Sequence, residues 1–165
     1  MRQPALWAAN RRRHAREHGL HYLSSTGKVV PAKSPCLDSN LCHCRLKSSE
    51  KFTKQHRQQI FDSYYSLDEN VKNCYFFGCM KVLAPKTKVL QAERHRVVSF
   101  LYSVTVDQNE HRICHEAFRR LHQVTTSKSQ HIGKSITSGL PAPMPSSRGK
   151  HTNRPHRCSE KEEEM

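Results

Sequence analysis

The stretch Val98–Val106, VSFLYSVTV, sets the fold class. Val98, Phe100, Tyr102, Val104 and Val106 alternate with Ser99, Leu101, Ser103 and Thr105. Period-two alternation of β-branched and aromatic residues predicts a strand. Asp107-Gln108-Asn109-Glu110 reads as a turn, and His111 to Ile113 as a short returning strand. Then the period changes. Cys114, Ala117, Phe118 and Leu121 recur at the spacing of one helix face, which predicts a helix over Cys114 to Val124. Thr125-Thr126-Ser127 breaks it and offers an N-cap. A second short helix is expected from Lys128 to Thr137, with Ile132 and Ile136 inward. Gly139 closes it and Pro141 forbids continuation. Gly133 in its middle costs about 1 kcal/mol against alanine.

Upstream, the clearest helix is expected from Glu50 to Leu67, capped by Ser49 or Thr53. Its apolar stripe is Ile60, Phe61, Tyr64 and Tyr65, with Phe52 two turns earlier. A further helix is expected from Val71 to Leu83, stopped by Ala84-Pro85. Pro85 to Lys88 reads as a basic loop, and Tyr22 to Cys44 as a loop punctuated by Gly27, Pro31 and Pro35. Gln3 to Leu20 reads as a short basic helix with Gly19 as its stop. From Ser138 onward Ser, Pro, Gly and basic residues precede an acidic end at Glu160 and Glu162 to Glu164, and no apolar period survives.

The expectation is an α+β, mostly helical fold: a small helical core with one β-hairpin, a helix-turn-helix-like pair and disordered ends. Residues 1–34 form a basic, largely flexible arm, residues 35–138 the cysteine-containing domain, and residues 139–165 a disordered tail. Only 35% of the 165 residues are hydrophobic. A core that small is marginal by burial alone, so a metal or disulfide staple would help.

Lysine and arginine number 28 against 14 acidic residues, a net charge of +14. Such a surface attracts phosphate backbones by counterion release. An anionic membrane or an acidic protein would answer the same charge. No stretch is long and apolar enough for a transmembrane helix, so no membrane span is expected. Seven cysteines is an odd count, and arginines fill the place of a signal-peptide apolar segment. Both point to a reducing compartment. The nucleus is the expected location. The arginine-rich, acid-free first sixteen residues also fit a mitochondrial transit peptide.

The cluster PCLDSNLCHC, residues 35–44, places Cys36, Cys42 and Cys44 within nine residues. A structural zinc needs four soft or borderline ligands, and these three with Cys114 make a candidate set. His43, His111 and His115 are alternates. Cys158, His151 and His156 form a weaker set in the tail. Free thiols are the plain alternative, with Cys74 and Cys79 packed as small hydrophobes.

Two helices around a Thr/Ser turn can pose the second for a DNA major groove. Lys128, Gln130, His131, Lys134 and Ser135 would lie on or near its outer face. Gln and Lys suit base edges; Ser and Lys suit phosphates. Arg11, Arg12, Arg13 and Arg16 would supply an electrostatic arm, with the Lys81–Lys88 region beside them.

Catalysis is not expected. Gly133-Lys134-Ser135 resembles the end of a phosphate-binding loop. Lys128 stands where that loop needs a glycine, and no strand leads into it. Neither Gly-x-Ser-x-Gly nor His-Glu-x-x-His occurs, and no paired carboxylates sit in a catalytic context.

Four runs carry a family resemblance: LSSTGKVVPAKS (23–34), CRLKSSEKFTKQHRQQIFDSYYSL (44–67), HRICHEAFRRLHQV (111–124) and RGKHTNRPHRCSE (148–160). With them the chain resembles the N-terminal part of a family of uncharacterised, transposon-derived proteins common in arthropod genomes. The likeness covers about residues 11 to 160. It implies a cysteine-rich, helix-turn-helix-like region that binds DNA, followed in longer members by an integrase-like domain that this chain stops short of. Cys42, Cys44 and Cys114 match family cysteines. Ser48 stands where a further cysteine is expected, and Arg119 and Arg120 dilute the apolar character after Cys114. The alternative function is therefore a truncated protein-interaction module or an inert remnant without specific DNA activity.

Overall fold

The computed structural model describes residues 7–38, 41–83 and 98–146. Within them lie helices α1 (Ala8–Glu17), α2 (Lys54–Ser66), α3 (Glu69–Gly78), α4 (His115–Leu121) and α5 (Thr126–Thr137). The strands are β1 (Tyr22–Leu23), β2 (Val29–Val30), β3 (Met80–Leu83), β4 (Ser99–Val106) and β5 (Asn109–Ile113). The class is α+β, as the alternating and helical periods predict. The basic loop after Ala84, the first six residues and the tail from residue 147 lie outside the described residues.

The expected β4 strand forms, and its hairpin is tighter than the sequence reading. Val106 pairs with Asn109, which leaves Asp107-Gln108 as the whole loop. Both residues have positive φ, 49° and 66°. That is the backbone of a two-residue turn whose twist matches the strands it joins.

The expected helix Val71–Leu83 is corrected. It ends at Gly78, and Met80–Leu83 becomes a strand with Met80 opposite Tyr102 and Leu83 opposite Ser99. A short apolar run fits either period. Here the exposed edge of β4 decides, so the sheet has three strands in the order β3-β4-β5 and not a lone hairpin. The loop expected over Tyr22–Cys44 also contains a small ladder, Tyr22 with Val30 and Leu23 with Val29. Ser24 and Gly27, the latter at φ +77°, close its turn.

Helix ends follow local chemistry. Thr53 Oγ1 accepts the His56 N–H at 3.1 Å, and Asp68 accepts the Val71 N–H at 2.8 Å. Thr53 rather than Ser49 is thus the cap of α2. Gly19 stops α1 at φ +66°, with Leu20 N–H bonded to Ala15 O at 2.8 Å. A Cβ at Gly19 would meet the Tyr65 ring at 2.9 Å, so this glycine also allows α1 to seat on α2.

The core gathers Phe52, Ile60, Phe61, Tyr64 and Tyr65 with Phe76, Val104, Ile113, Phe118, Leu121 and Ile132. The stripe expected on α2 is inward. At the centre His122 is fully enclosed among Tyr64, Phe76 and Phe118. Its Nδ1 pairs with Phe118 O at 2.8 Å and its Nε2 with the Tyr75 hydroxyl at 3.1 Å. Cys74 is exposed, against the expectation of a packed thiol; only Cys79 lies against the core.

The N-terminal segment, expected as an arm, is fastened to this core. His18 Nδ1 pairs with Tyr65 O at 3.0 Å, the Lys33 ammonium donates to the Tyr65 hydroxyl at 3.0 Å, and the Lys72 ammonium donates to Glu17 O.

Candidate metal centre and cationic cleft

Three of the predicted metal ligands meet. The sulfurs of Cys42, Cys44 and Cys114 all lie within 4.8 Å of one another, and Cys42 and Cys44 are 3.3 Å apart. Sequential turns build the corner: Lys47 N–H bonds to Cys44 O and Glu50 N–H to Lys47 O, both at 3.0 Å, with Lys47 at φ 48°. This folds Ser48 back beneath Cys44. Cys114 arrives from the other side as the N-cap of α4, its sulfur accepting the Ala117 N–H at 3.3 Å.

Ser48 lies beside the group. It is fully buried; its hydroxyl lies 3.3 Å from Cys44 Sγ and accepts the Cys114 N–H at 3.1 Å. Hydrogen bonds from Ser48, then from Cys42 and Cys114, hold the Cys44 thiol down at about 6, so it is largely thiolate at neutral pH. Burial acts the other way on Cys114 and raises it.

The donor set fits a thiophilic divalent ion. Zinc–sulfur bonds of about 2.3 Å in a tetrahedron separate sulfurs by about 3.8 Å, inside the observed spread. Three thiols and one hydroxyl are the groups present at this corner. Cys36 does not join: it packs against the core instead, on the segment where the Arg57 guanidinium binds Asp38 O. The histidine alternates do not join either. His43 is exposed, His111 lies edge-on to Phe52, and His115 bonds Ser129 at 2.9 Å. The tail set of His151, His156 and Cys158 lies outside the described residues.

Arg57 braces the loop. Only 4% exposed, it donates to Phe52 O at 3.1 Å, to Ser49 O at 2.8 Å and to Asp38 O. Ser49 in turn donates to Cys42 O at 3.4 Å. Sequence reasoning missed this residue because a cation at helical spacing reads as solvated.

The predicted nucleic-acid residues divide. Gln130, His131 and Lys134 are exposed on α5, as expected of a docking face. Lys128 is turned away: its ammonium pairs with Glu69 at 2.5 Å and also bonds Asn73. Ser135 is buried. Both are corrected as outward groups, because α3 packs against that side of α5. Arg11 and Arg16 are exposed and Arg12 and Arg13 half-buried on α1. Lys81 pairs with Glu110 at 3.3 Å.

A cleft of about 670 Å³ joins the two predicted sets. Arg13 and Arg16 of α1 line it together with Lys128 and His131 of α5, across more than a hundred residues of sequence. Lys72 lines it too, and no feature of the sequence had singled it out.

Comparison with known protein families, with curated proteins and with solved structures found no match to this chain.

Proposed function

We propose that the chain is a DNA-binding module of transposon-derived origin, held by a structural zinc and docked through the α1–α5 face. The observation that carries this reading is the common cleft: Arg13 and Arg16 of α1 line it with Lys128 and His131 of α5, and Gln130 and Lys134 are exposed on that same helix. Arg11, Arg13 and Arg16 bind phosphates as point contacts of a salt-sensitive kind. Gln130, His131 and Lys134 lie free on α5 for base edges or further phosphates.

Cys42, Cys44 and Cys114 would hold the zinc, with the Ser48 hydroxyl or water completing its shell. Its contribution is structural: it ties the 41–50 loop to the start of α4, and so sets where α5 follows. The lowered Cys44 thiol favours metal over protons at neutral pH.

The test is anisotropy titration of a labelled random-sequence duplex. Arg13→Ala/Arg16→Ala and Gln130→Ala/Lys134→Ala proteins should each bind several-fold more weakly than the parent. Lys54→Ala, which removes an exposed cation at the start of α2, should bind normally. Equal binding by all the proteins, or none by the parent, would overturn the reading.

A further inference from the structure

The floor of the α1–α5 cleft differs from its rim. Arg13 and Arg16 stand at the rim. Beside them exposed Lys33, half-buried Lys128 and buried Lys72 bring three ammonium groups near the carboxylate of Glu69. Counting Glu17 with Glu69, the cleft holds an excess of three positive charges. Lys72 is the deepest, at 1% exposure, with its Nζ 5.2 Å and 5.0 Å from the ring centres of Tyr64 and Tyr65.

These ammoniums have donor capacity left. Each carries three N–H bonds. Among the described residues Lys72 donates to Glu17 O alone. Lys33 donates to the Tyr65 hydroxyl at 3.0 Å and to Gln123 O at 2.8 Å. Lys128 serves Glu69 and Asn73. Burial lowers Lys33 and Lys72, and Lys128 pushes both further down against the pull of Glu69. An excess of positive charge gathered in one cleft, with donor N–H bonds to spare, is what a multivalent anion neutralises.

We propose that the floor of this cleft receives the terminal phosphomonoester of a nucleic-acid strand. This rests on the nucleic-acid reading above and names which part of the polymer enters. An internal phosphodiester lies on a convex backbone, carries one charge, and reaches only the rim. A terminal phosphate projects, carries close to two charges at neutral pH, and can reach Lys72. The volume is that of a small-molecule site, and the carbon surfaces of Tyr64, Val124 and Met144 offer a wall for the terminal sugar and base.

The experiment compares one labelled single strand with a terminal phosphate against the same strand with a terminal hydroxyl, at fixed salt. The phosphorylated strand should bind the parent protein about tenfold more tightly, about 1.4 kcal/mol. Lys72→Met and Lys33→Met should erase that preference, leaving the two strands bound with equal affinity. The parent comparison stands even if Lys72→Met fails to fold. Equal affinity for both strands, with salt-sensitive binding intact, overturns the end pocket and leaves the docking surface. No binding of either strand overturns the end pocket, and no binding of the duplex as well overturns the docking surface. Inorganic phosphate displacing the phosphorylated strand at equal concentration would overturn the strand assignment in favour of a free anion.

Discussion

The buried hydroxyl of Ser48 accepts the backbone N–H of Cys114 at 3.1 Å, and so ties the cysteine loop to the start of α4. The same hydroxyl lies 3.3 Å from Cys44 Sγ, beside the three gathered thiols. Ser48→Cys should therefore raise zinc affinity roughly tenfold or more, because a thiolate replaces a neutral hydroxyl. Competition with a chromophoric chelator measures it. Unchanged affinity would mean that this position does not face the ion.

Arg57 is a buried cation satisfied by three main-chain oxygens. Its removal leaves those carbonyls unpaired and frees the loop that carries Cys42 and Cys44. Arg57→Ala should cost about 2–4 kcal/mol in urea denaturation, and should weaken zinc binding as well. A loss below about 0.5 kcal/mol would show that the loop is held by other contacts.

His122 gives the fold an acid limit. Burial pushes its imidazole down to about 4, partly offset by the bond to Phe118 O. The unfolded chain therefore binds a proton that the folded one refuses. Stability is complete above about pH 6.5 and falls by about 1.4 kcal/mol per unit towards pH 4, about 3 kcal/mol in all. Denaturation midpoints at successive pH values read the slope, and His122→Phe should flatten it over that window.

Gly133 faces Phe100 across the α5–β4 contact. A Cβ there would lie 3.0 Å from the end of the ring. Helix propensity alone favours alanine by about 1 kcal/mol, but crowding costs about 1–3 kcal/mol. Gly133→Ala should lower the melting temperature, and Phe100→Leu should reverse part of that loss. The double-mutant cycle reads the coupling directly.

What the sequence made legible is what depends on local period. Strand β4, the stripe of α2 and the paired helices α4 and α5 all follow from the spacing of apolar residues along one element. The convergence of Cys42 and Cys44 with Cys114 was legible because ligand chemistry limits the choices. The strand at Met80–Leu83 was not, since only the neighbouring edge of β4 selects it over a longer helix. Lys72, Arg57 and Lys128 were equally hidden. Each is a cation at a helical position, and the groups that receive it belong to segments far along the chain. Cys36 went the other way: its place in the cysteine cluster made it a candidate ligand, while the packing of its own segment against the core keeps it apart.

The salt dependence of duplex binding tests the central claim most directly. With Arg11, Arg13, Arg16 and Lys134 each neutralising a phosphate, the logarithm of the binding constant should fall with the logarithm of salt at a slope of about −3 to −4. Arg13→Ala/Arg16→Ala should make that slope shallower by about 2. A slope near zero, or one unmoved by removing both arginines, would contradict the account.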